Sequence, residues 1–310
     1  MPTYNFAQFL PEAIESVLEQ TFTDFEFLII DDQSQDASAA VIQRYAEQDN
    51  RILFRVNDRN LGMVRNWNAC LEQARGTYIK YLFGDDKLAT RESLAKMVSV
   101  LDTDPSVALV ASARNVIDDR SDLLSVRSEC RVAGKSNGRT VIQDCLFEQR
   151  NKIGEPSVVL FRKNLGQRGF NTAYQQLVDL ELWFALLEQG DFYFINEPLC
   201  SFREHAGQQT KKNLANGLGI DEAHLLLQDY ADKPYIGLSR FKRAYMNYIP
   251  AYSVWKLASK HRKISSAEAL DRIREHYGYD KKAFYAFFPA FKVYKLYREL
   301  RRRAESKRNR

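Results

Sequence analysis

Apolar positions along most of the chain alternate between two rhythms. In residues 9–20 they recur at 10, 13, 14, 17 and 18, which is one face of a helix, and Pro11 falls in its first turn, where a missing N–H is tolerated. Residues 25–30 form a nearly continuous apolar run with a single Glu, the mark of a buried strand. The alternation continues with a helix to about 48 capped by Asp36 or Ser38, a strand over 52–56, a loop over 57–62, a helix over 63–74 and a strand over 78–83 stopped by Gly84. A helix over 90–101 with Thr90 as its cap and a strand over 107–113 follow. Residues 118–138 are polar and without period, and read as a loop. Beyond them the pattern predicts a helix over 141–149, a strand over 158–161, a loop over 166–174, a helix over 177–189, a short strand over 192–195 and an extended run over 199–205. Strands and helices in this order predict a parallel α/β sheet. After Thr210 only the helical rhythm remains, over 214–229, 238–260, 267–277 and 284–303. Two domains are therefore expected: 1–210, of α/β type, and 211–310, helical.

Composition narrows the class. The chain has 310 residues, 45% apolar and 27% charged, as globular proteins do. A chain of that size buries about 75% of its unfolded surface. No apolar run approaches the ~20 residues of a membrane span, and no signal peptide precedes the first motif. Cys70, Cys130, Cys145 and Cys200 are scattered, which suits free thiols in a reducing, cytoplasmic compartment better than a zinc site or disulfide frame. The net charge of +5 is uneven. Residues 292–310 hold nine Lys/Arg and two Glu, a net of +7, so the remaining 36 basic and 38 acidic residues sum to −2. Such a distribution argues against a nucleic-acid-binding surface.

The candidate chemistry sits where strands end. The first apolar strand closes on Asp31-Asp32, and the strand at 78–83 closes on Gly84-Asp85-Asp86. Ligands of open α/β sheets gather at the carboxyl ends of strands. Two adjacent anions repel unless a cation or proton offsets them, and Mg²⁺ is commonly held by one or two carboxylates plus phosphate oxygens.

Together these stretches resemble inverting glycosyltransferases of family 2, with the GT-A fold, a Rossmann-like mixed sheet that binds nucleotide-diphospho-sugars. The matching pieces are Met1-Pro2-Thr3-Tyr4-Asn5, Gln20-Thr21-Phe22, Asp31-Asp32-Gln33-Ser34, Asn60-Leu61-Gly62, Gly76-Thr77-Tyr78-Ile79, Gly84-Asp85-Asp86, Asp179-Leu180-Glu181-Leu182-Trp183 and Phe202-Arg203-Glu204-His205. The resemblance spans residues 1 to about 210. It implies that Pro2, Thr3 and Tyr4 lie against the base of a nucleotide-sugar donor, and that Asp32 accepts the ring N–H of a uracil. It puts Asp85 on the ribose and metal side, Asp86 on a divalent metal (Mn²⁺ or Mg²⁺), and His205 near the metal and diphosphate. Asp179 resembles the general base that activates an acceptor hydroxyl, with Glu181 as the alternative. Trp183, inside an apolar helix face, is expected in the core.

Three departures accompany the resemblance. The family's first strand precedes the Pro-Thr-Tyr-Asn loop, whereas this sequence begins inside it, so an open sheet edge is expected unless the true start lies upstream. Phe83 stands where a third acid is common. Asn66-Trp67-Asn68 replaces a commoner Ala-Arg-Asn. The implied function is transfer of a sugar to an acceptor hydroxyl, sugar- or lipid-linked, in polysaccharide or glycoconjugate assembly. A nucleotidyltransferase would want a Gly-rich loop with a Lys near the N-terminus, and residues 1–20 contain neither. A non-catalytic nucleotide-sugar binder or scaffold is the other alternative. The tail joins aromatics at 285, 287, 288, 291, 294 and 297 to Arg301-Arg302-Arg303 and Lys307-Arg308. That composition suits either a helix lying on an anionic membrane at the cytoplasmic face or a helix docked on the protein with a solvated end.

Overall fold

In β2 (Phe27–Asp31) every side chain is buried, as the unbroken apolar run requires. Its parallel neighbours are β1 (Pro2–Thr3) and β3 (Ile52–Val56), in register Pro2↔Ile30 and Phe27↔Ile52. The connections are helices α1 (Leu10–Leu18) and α2 (Ser38–Ala46), each burying one stripe, Leu10, Ala13, Ile14 and Val17 in the first case. This computed structural model describes residues 1–130, 133–208, 213, 218–259 and 264–308, with side chains up to 300.

A second sheet holds seven strands. Helix α3 (Met63–Gln73) leads into β4 (Tyr78–Lys80), then come β5 (Lys87–Leu88), α4 (Ser93–Thr103), β6 (Val107–Ile117), β7 (Leu123–Arg127), β8 (Gly134–Ser136), α5 (Gly138–Glu148), β9 (Val159–Arg162), α6 (Val178–Leu187) and β10 (Asp191–Arg203). The strand order is β4-β9-β6-β10-β5, with β7 on β6 and β8 on β10. Only β10 runs parallel to β6; the other pairs are antiparallel, so the sheet is mixed. Met97, Val98, Leu101, Val107, Val110, Leu160 and Leu199 pack together under α4.

Several expectations are corrected. The strand expected over 78–83 pairs only to Lys80, because its partner β9 gives way beyond Val159 to a 3-10 turn, Pro156–Val158. The polar stretch 118–138 contains β7 and β8; all five side chains of β7 are exposed, which erased any alternation. The runs 192–195 and 199–205 are one strand, kept continuous by register shifts around Pro198. Thr90 does not cap α4, which starts at Ser93.

The two sheets leave a gap. Between the edges of β2 and β4 lies a cavity of about 570 Å³, lined by Met1, Phe27, Leu28, Tyr78, Ile79 and Lys80 among others. β1 pairs with β2 only at Ile30 and Asp31, so among the described residues the first part of β2 has no strand on that side. The Met1 ammonium is buried and donates to the Leu28 carbonyl at 2.6 Å, and burial pulls its pKa below the ordinary 8.0. Burial likewise lowers the Lys80 ammonium to about 8.

The chain divides into two compact units, Met1–Leu218 and Gly219–Arg310. The boundary expected near 211 falls on residues outside the described ones. In the second unit the helices are α7 (Leu218–Ala231), α8 (Arg240–Ser259), α9 (Ser266–Tyr277) and α10 (Lys281–Arg308). The Ser265 hydroxyl caps α9, and Gly278, at φ 72°, ends it. Aromatic rings join α8 to α10: Tyr245 and Tyr248 stack on Phe291 and Phe284, both fully buried. Of the tail aromatics Phe291 thus faces inward and Phe287, Phe288 and Tyr294 are half-buried, while Tyr285, Val293, Leu296, Tyr297 and Leu300 are exposed.

Candidate active site

β2 delivers Asp31 and Asp32 at its carboxyl end, both nearly inaccessible. Asp31 turns back on its own loop and accepts from the Ser34 amide at 2.9 Å and the Ser34 hydroxyl. Asp32 faces the next crossover. Its Oδ1 accepts from Asn57 Nδ2 (2.7 Å) and the Leu61 amide (2.8 Å), and its Oδ2 from the Gly62 amide (2.9 Å). An ionised carboxyl takes about four hydrogen bonds, so three protein donors leave one position. Asn60 braces the arrangement by donating to the Asp32 carbonyl.

The N-terminal loop lies against this strand end. The Asp32 amide donates to the Thr3 carbonyl at 2.9 Å, and Asn5 exchanges bonds with Ser34 and Gln35. Pro2 and Thr3 are buried, whereas Tyr4 is 44% exposed. Thr3 also approaches the other aspartate pair: a Cβ on Gly84 would stand 2.9 Å from Thr3 Oγ1, so only glycine admits this contact. Pro2, Thr3, Asp32 and Asp85-Asp86 therefore belong to one neighbourhood.

Asp85 and Asp86 occupy the turn between β4 and β5. Asp85 Oδ2 lies 3.1 Å from His205 Nε2, just past the end of β10. Asp86 is 2% exposed; its Oδ1 accepts from the Arg203 amide at 3.0 Å, and its Oδ2 is buried without a partner. Burial first, then the neighbouring Asp85 charge, raises the Asp86 pKa well above the ordinary carboxylate range, against the opposing pull of the Ser157 hydroxyl and the Arg203 amide. Arg203 itself is buried. Its guanidinium donates to the Asp85 carbonyl (2.9 Å), the Asp118 carbonyl (2.9 Å), Ser121 (2.9 Å) and Glu12 (2.6 Å), and lies over Phe9. It thereby ties the aspartate turn to α1 and to the 118–122 turn.

Asp179 stands in the first turn of α6, with Oδ1 on the Leu180 amide (2.8 Å) and Oδ2 3.5 Å from Asn151 Nδ2. Glu181, the alternative base, is 8% exposed and paired with Arg168 at 2.9 Å. Trp183 is fully buried, as expected, and donates to the Gly154 carbonyl at 3.1 Å. Residues 151–157 connect the two acids. Asn151 meets Asp179 at one end, and Ser157 lies against Asp86 and accepts from the Phe83 amide at the other. Between them is Glu155, bonded to Arg114 of β6 at 3.1 Å. Sequence reasoning missed Glu155, Arg114 and Ser157, and gave Arg203, quoted in the last matching piece, no role. A signal existed for Arg114, the lone charged residue of the strand 107–117.

The residues present fit a divalent cation. Asp86 Oδ2 is an orphaned hard donor in a buried site, and Asp85, the residue before it, meets His205 at 3.1 Å. No group of three or more His, Cys, Asp or Glu suited to a metal occurs among the described residues, so the remaining ligands would come from a bound diphosphate or water.

This fold and site define an α/β protein of the GT-A type. The family model of glycosyl transferase family 2 matches residues 1–168, more than half of the chain, and the chain belongs to that family. It is 29% identical over 264 residues, 81% of each chain, to an uncharacterized protein of Mycobacterium tuberculosis (strain CDC 1551 / Oshkosh). S. aureus TarS (1–349) in complex with UDP-GlcNAc shares the fold at a TM-score of 0.62 and 16% identity, covering 89% of this chain and 80% of that one. A mannosyltransferase from Pyrobaculum calidifontis in complex with GDP-Man and Mn²⁺ shares it at 0.56 and 18%, covering 95% and 85%.

Proposed function

We propose that the Met1–Leu218 unit transfers a sugar from a nucleoside-diphosphate donor, a UDP-sugar in the first instance, to an acceptor hydroxyl with inversion. The observation that carries this reading is the buried, unpartnered Oδ2 of Asp86 beside Asp85 and His205 at the end of a strand. Pro2, Thr3 and Tyr4 flank the base, and the remaining lone pair of Asp32 accepts its ring N–H. Asp85 serves the ribose side. Asp86 and His205 hold a divalent cation, Mn²⁺ or Mg²⁺, which supplies neutralisation of the departing diphosphate. Asp179 takes the proton of the acceptor hydroxyl, whose oxygen forms the new bond to the anomeric carbon from the face opposite the leaving group. The Arg168–Glu181 ion pair argues against Glu181 in that role. The setting we infer is polysaccharide or glycoconjugate assembly. A panel of UDP-glucose, UDP-galactose, UDP-GlcNAc and GDP-mannose tests it. Nucleoside diphosphate should be released from at least one donor, with inverted product, and release should stop with chelator and return with Mn²⁺ or Mg²⁺. Undiminished release in chelator would remove the cation, and a retained anomeric configuration would remove single displacement.

We further propose contact with an anionic membrane surface, at the cytoplasmic face where lipid-linked acceptors lie. Its support is the exposed set Val293, Leu296, Tyr297 and Leu300 beside Lys292, Lys295 and Arg298. No helix among the described residues is long and apolar enough to cross a membrane. Flotation with anionic vesicles should fall when Val293, Leu296 and Leu300 are changed to Ser. Equal flotation on anionic and neutral vesicles would overturn it.

A further inference from the structure

The turn at residues 151–157 is built more rigidly than a connection needs to be. Asn151 Oδ1 accepts from the Ile153 and Gly154 amides, both at 2.9 Å. Gly154, at φ 119°, is confined to a backbone conformation other residues rarely adopt, and a Cβ there would meet Val158 at 2.4 Å. Pro156 holds the preceding Glu155 extended, at φ −71° and ψ 162°. The Cα–Cβ bond of Glu155 is therefore fixed in direction by its backbone.

Glu155 is also more than a structural counter-ion. Arg114, 4% exposed, already has Glu129 at 2.8 Å, and Glu129 in turn has Arg150 at 3.0 Å. Glu155 adds a second carboxylate at 3.1 Å but engages Arg114 through Oε1 alone; its Oε2 is buried without a partner. An ion pair retained for stability gains by satisfying the remaining lone pairs. Here one stays open, on a side chain set between the turn's contact with Asp86 and its contact with Asp179.

We propose that Glu155, oriented by Arg114, binds a ring hydroxyl of the donor sugar and so helps determine which sugar is accepted. The inference rests on the transferase reading, in which the sugar lies between the diphosphate at Asp86 and the base at Asp179. An ionised carboxyl only accepts hydrogen bonds, and the hydroxyls of a hexopyranose supply the donor it lacks. Sites that bond a substrate hydroxyl in this way discriminate strongly against analogues without it. Arg114 is here a positioning residue.

The test is calorimetric binding, without acceptor and with Mn²⁺, of the nucleotide-sugar that the chain prefers and of its free nucleoside diphosphate. Glu155→Gln should weaken the nucleotide-sugar by about 10–100-fold, the loss of one hydrogen bond to a charged group, and leave the nucleoside diphosphate within about 2-fold. Glu155→Asp, which keeps the charge on a shorter stem, should fall between. Equal affinities in wild type and Glu155→Gln overturn the proposal, as does a variant that loses nucleotide and nucleotide-sugar alike. Should the variants not fold, wild type is compared on monodeoxy analogues of the same donor. One of them should bind about 10–100-fold worse, and uniform binding of all overturns the proposal. Wild type that binds neither UDP nor GDP refutes the transferase reading itself, an outcome distinct from these.

Discussion

β2 and β4 each lead into a pair of aspartates, and the second of each pair is almost fully buried: Asp32 at 3% and Asp86 at 2%. Their surroundings are opposite. Asp32 receives three protein hydrogen bonds from one loop, two of them backbone amides. Asp86 receives one backbone amide, has the Ser157 hydroxyl and another aspartate beside it, and keeps Oδ2 without a hydrogen-bond partner. A buried carboxylate with its donors in place holds a structure together; one without them is costly to the fold and open to a ligand. Asp32 can therefore anchor its loop, whereas the function proposed above has Asp86 meet a charge that arrives with the substrate.

The sharpest way to break this comparison is to neutralise each acid in turn. Asp86→Asn should lower turnover by about 10³-fold, the scale of several kcal/mol of charge stabilisation, while the melting temperature holds or rises. Asp32→Asn should do the reverse in stability. An amide nitrogen would face the Leu61 or Gly62 amide, donor against donor, and one unsatisfied buried donor costs about 1–3 kcal/mol, a drop of several degrees. Thermal melts and donor turnover on both variants decide it. If Asp86→Asn proves the less stable of the two, the contrast is wrong.

Asp179→Asn keeps size and helix while removing the proton acceptor, so turnover should fall about 10²–10⁴-fold with donor affinity little changed. Steady-state rates beside donor titrations check this. A larger loss in Glu181→Gln would transfer the role to Glu181, against its pairing with Arg168.

pH probes Asp86 without a nucleotide. The folded-state pKa of Asp86 is raised above its ordinary 3.8, so the folded protein holds a proton that the unfolded chain has released. Stability from this group is full below about pH 4 and is lost as pH rises through the raised value. In cation-free buffer the wild type should show that decline relative to Asp86→Asn, measured by denaturant unfolding across the acid to neutral range. Mn²⁺ with UDP should restore stability at neutral pH to wild type more than to the variant. Parallel pH profiles for the two proteins would contradict the burial of an unsatisfied carboxylate.

Much of this was visible in the residues, and the limits are physical. The strand-helix alternation fixed β2 and β6 because their apolar runs are buried on both faces. β7 escaped notice because none of its side chains is buried, so no alternation marks it. The aspartate pairs could be found, but not told apart. Asp-Asp reads the same in both places, and the difference lies in groups supplied from elsewhere: Asn57, Leu61 and Gly62 for one, Arg203 and Ser157 for the other. Glu155 was missed because a Glu before a Pro resembles any surface turn. Only the fold shows that it meets Arg114, 41 positions away by number (155 − 114), inside the protein.

The smallest effect tests the loop that holds Asp32. Gly62 precedes α3 at φ 81° and ψ 161°, and its amide donates to Asp32 Oδ2. Nothing lies within 4 Å of where a Cβ would be, so Gly62→Ala adds no clash and only backbone strain. Holding a non-glycine residue in so rare a conformation costs on the order of 1–3 kcal/mol. At about 2–4 °C per kcal/mol for a domain of this size, the melting temperature should drop by a few degrees. Asp86 is untouched by the change, so turnover at saturating donor should stay near wild type, and any loss should appear as weaker donor binding. If Gly62→Ala instead melts like wild type, the loop has moved to relieve the strain and the amide no longer reaches Asp32. In that case Asp32 holds its place without the third donor, and the two acids differ less than their hydrogen bonds indicate.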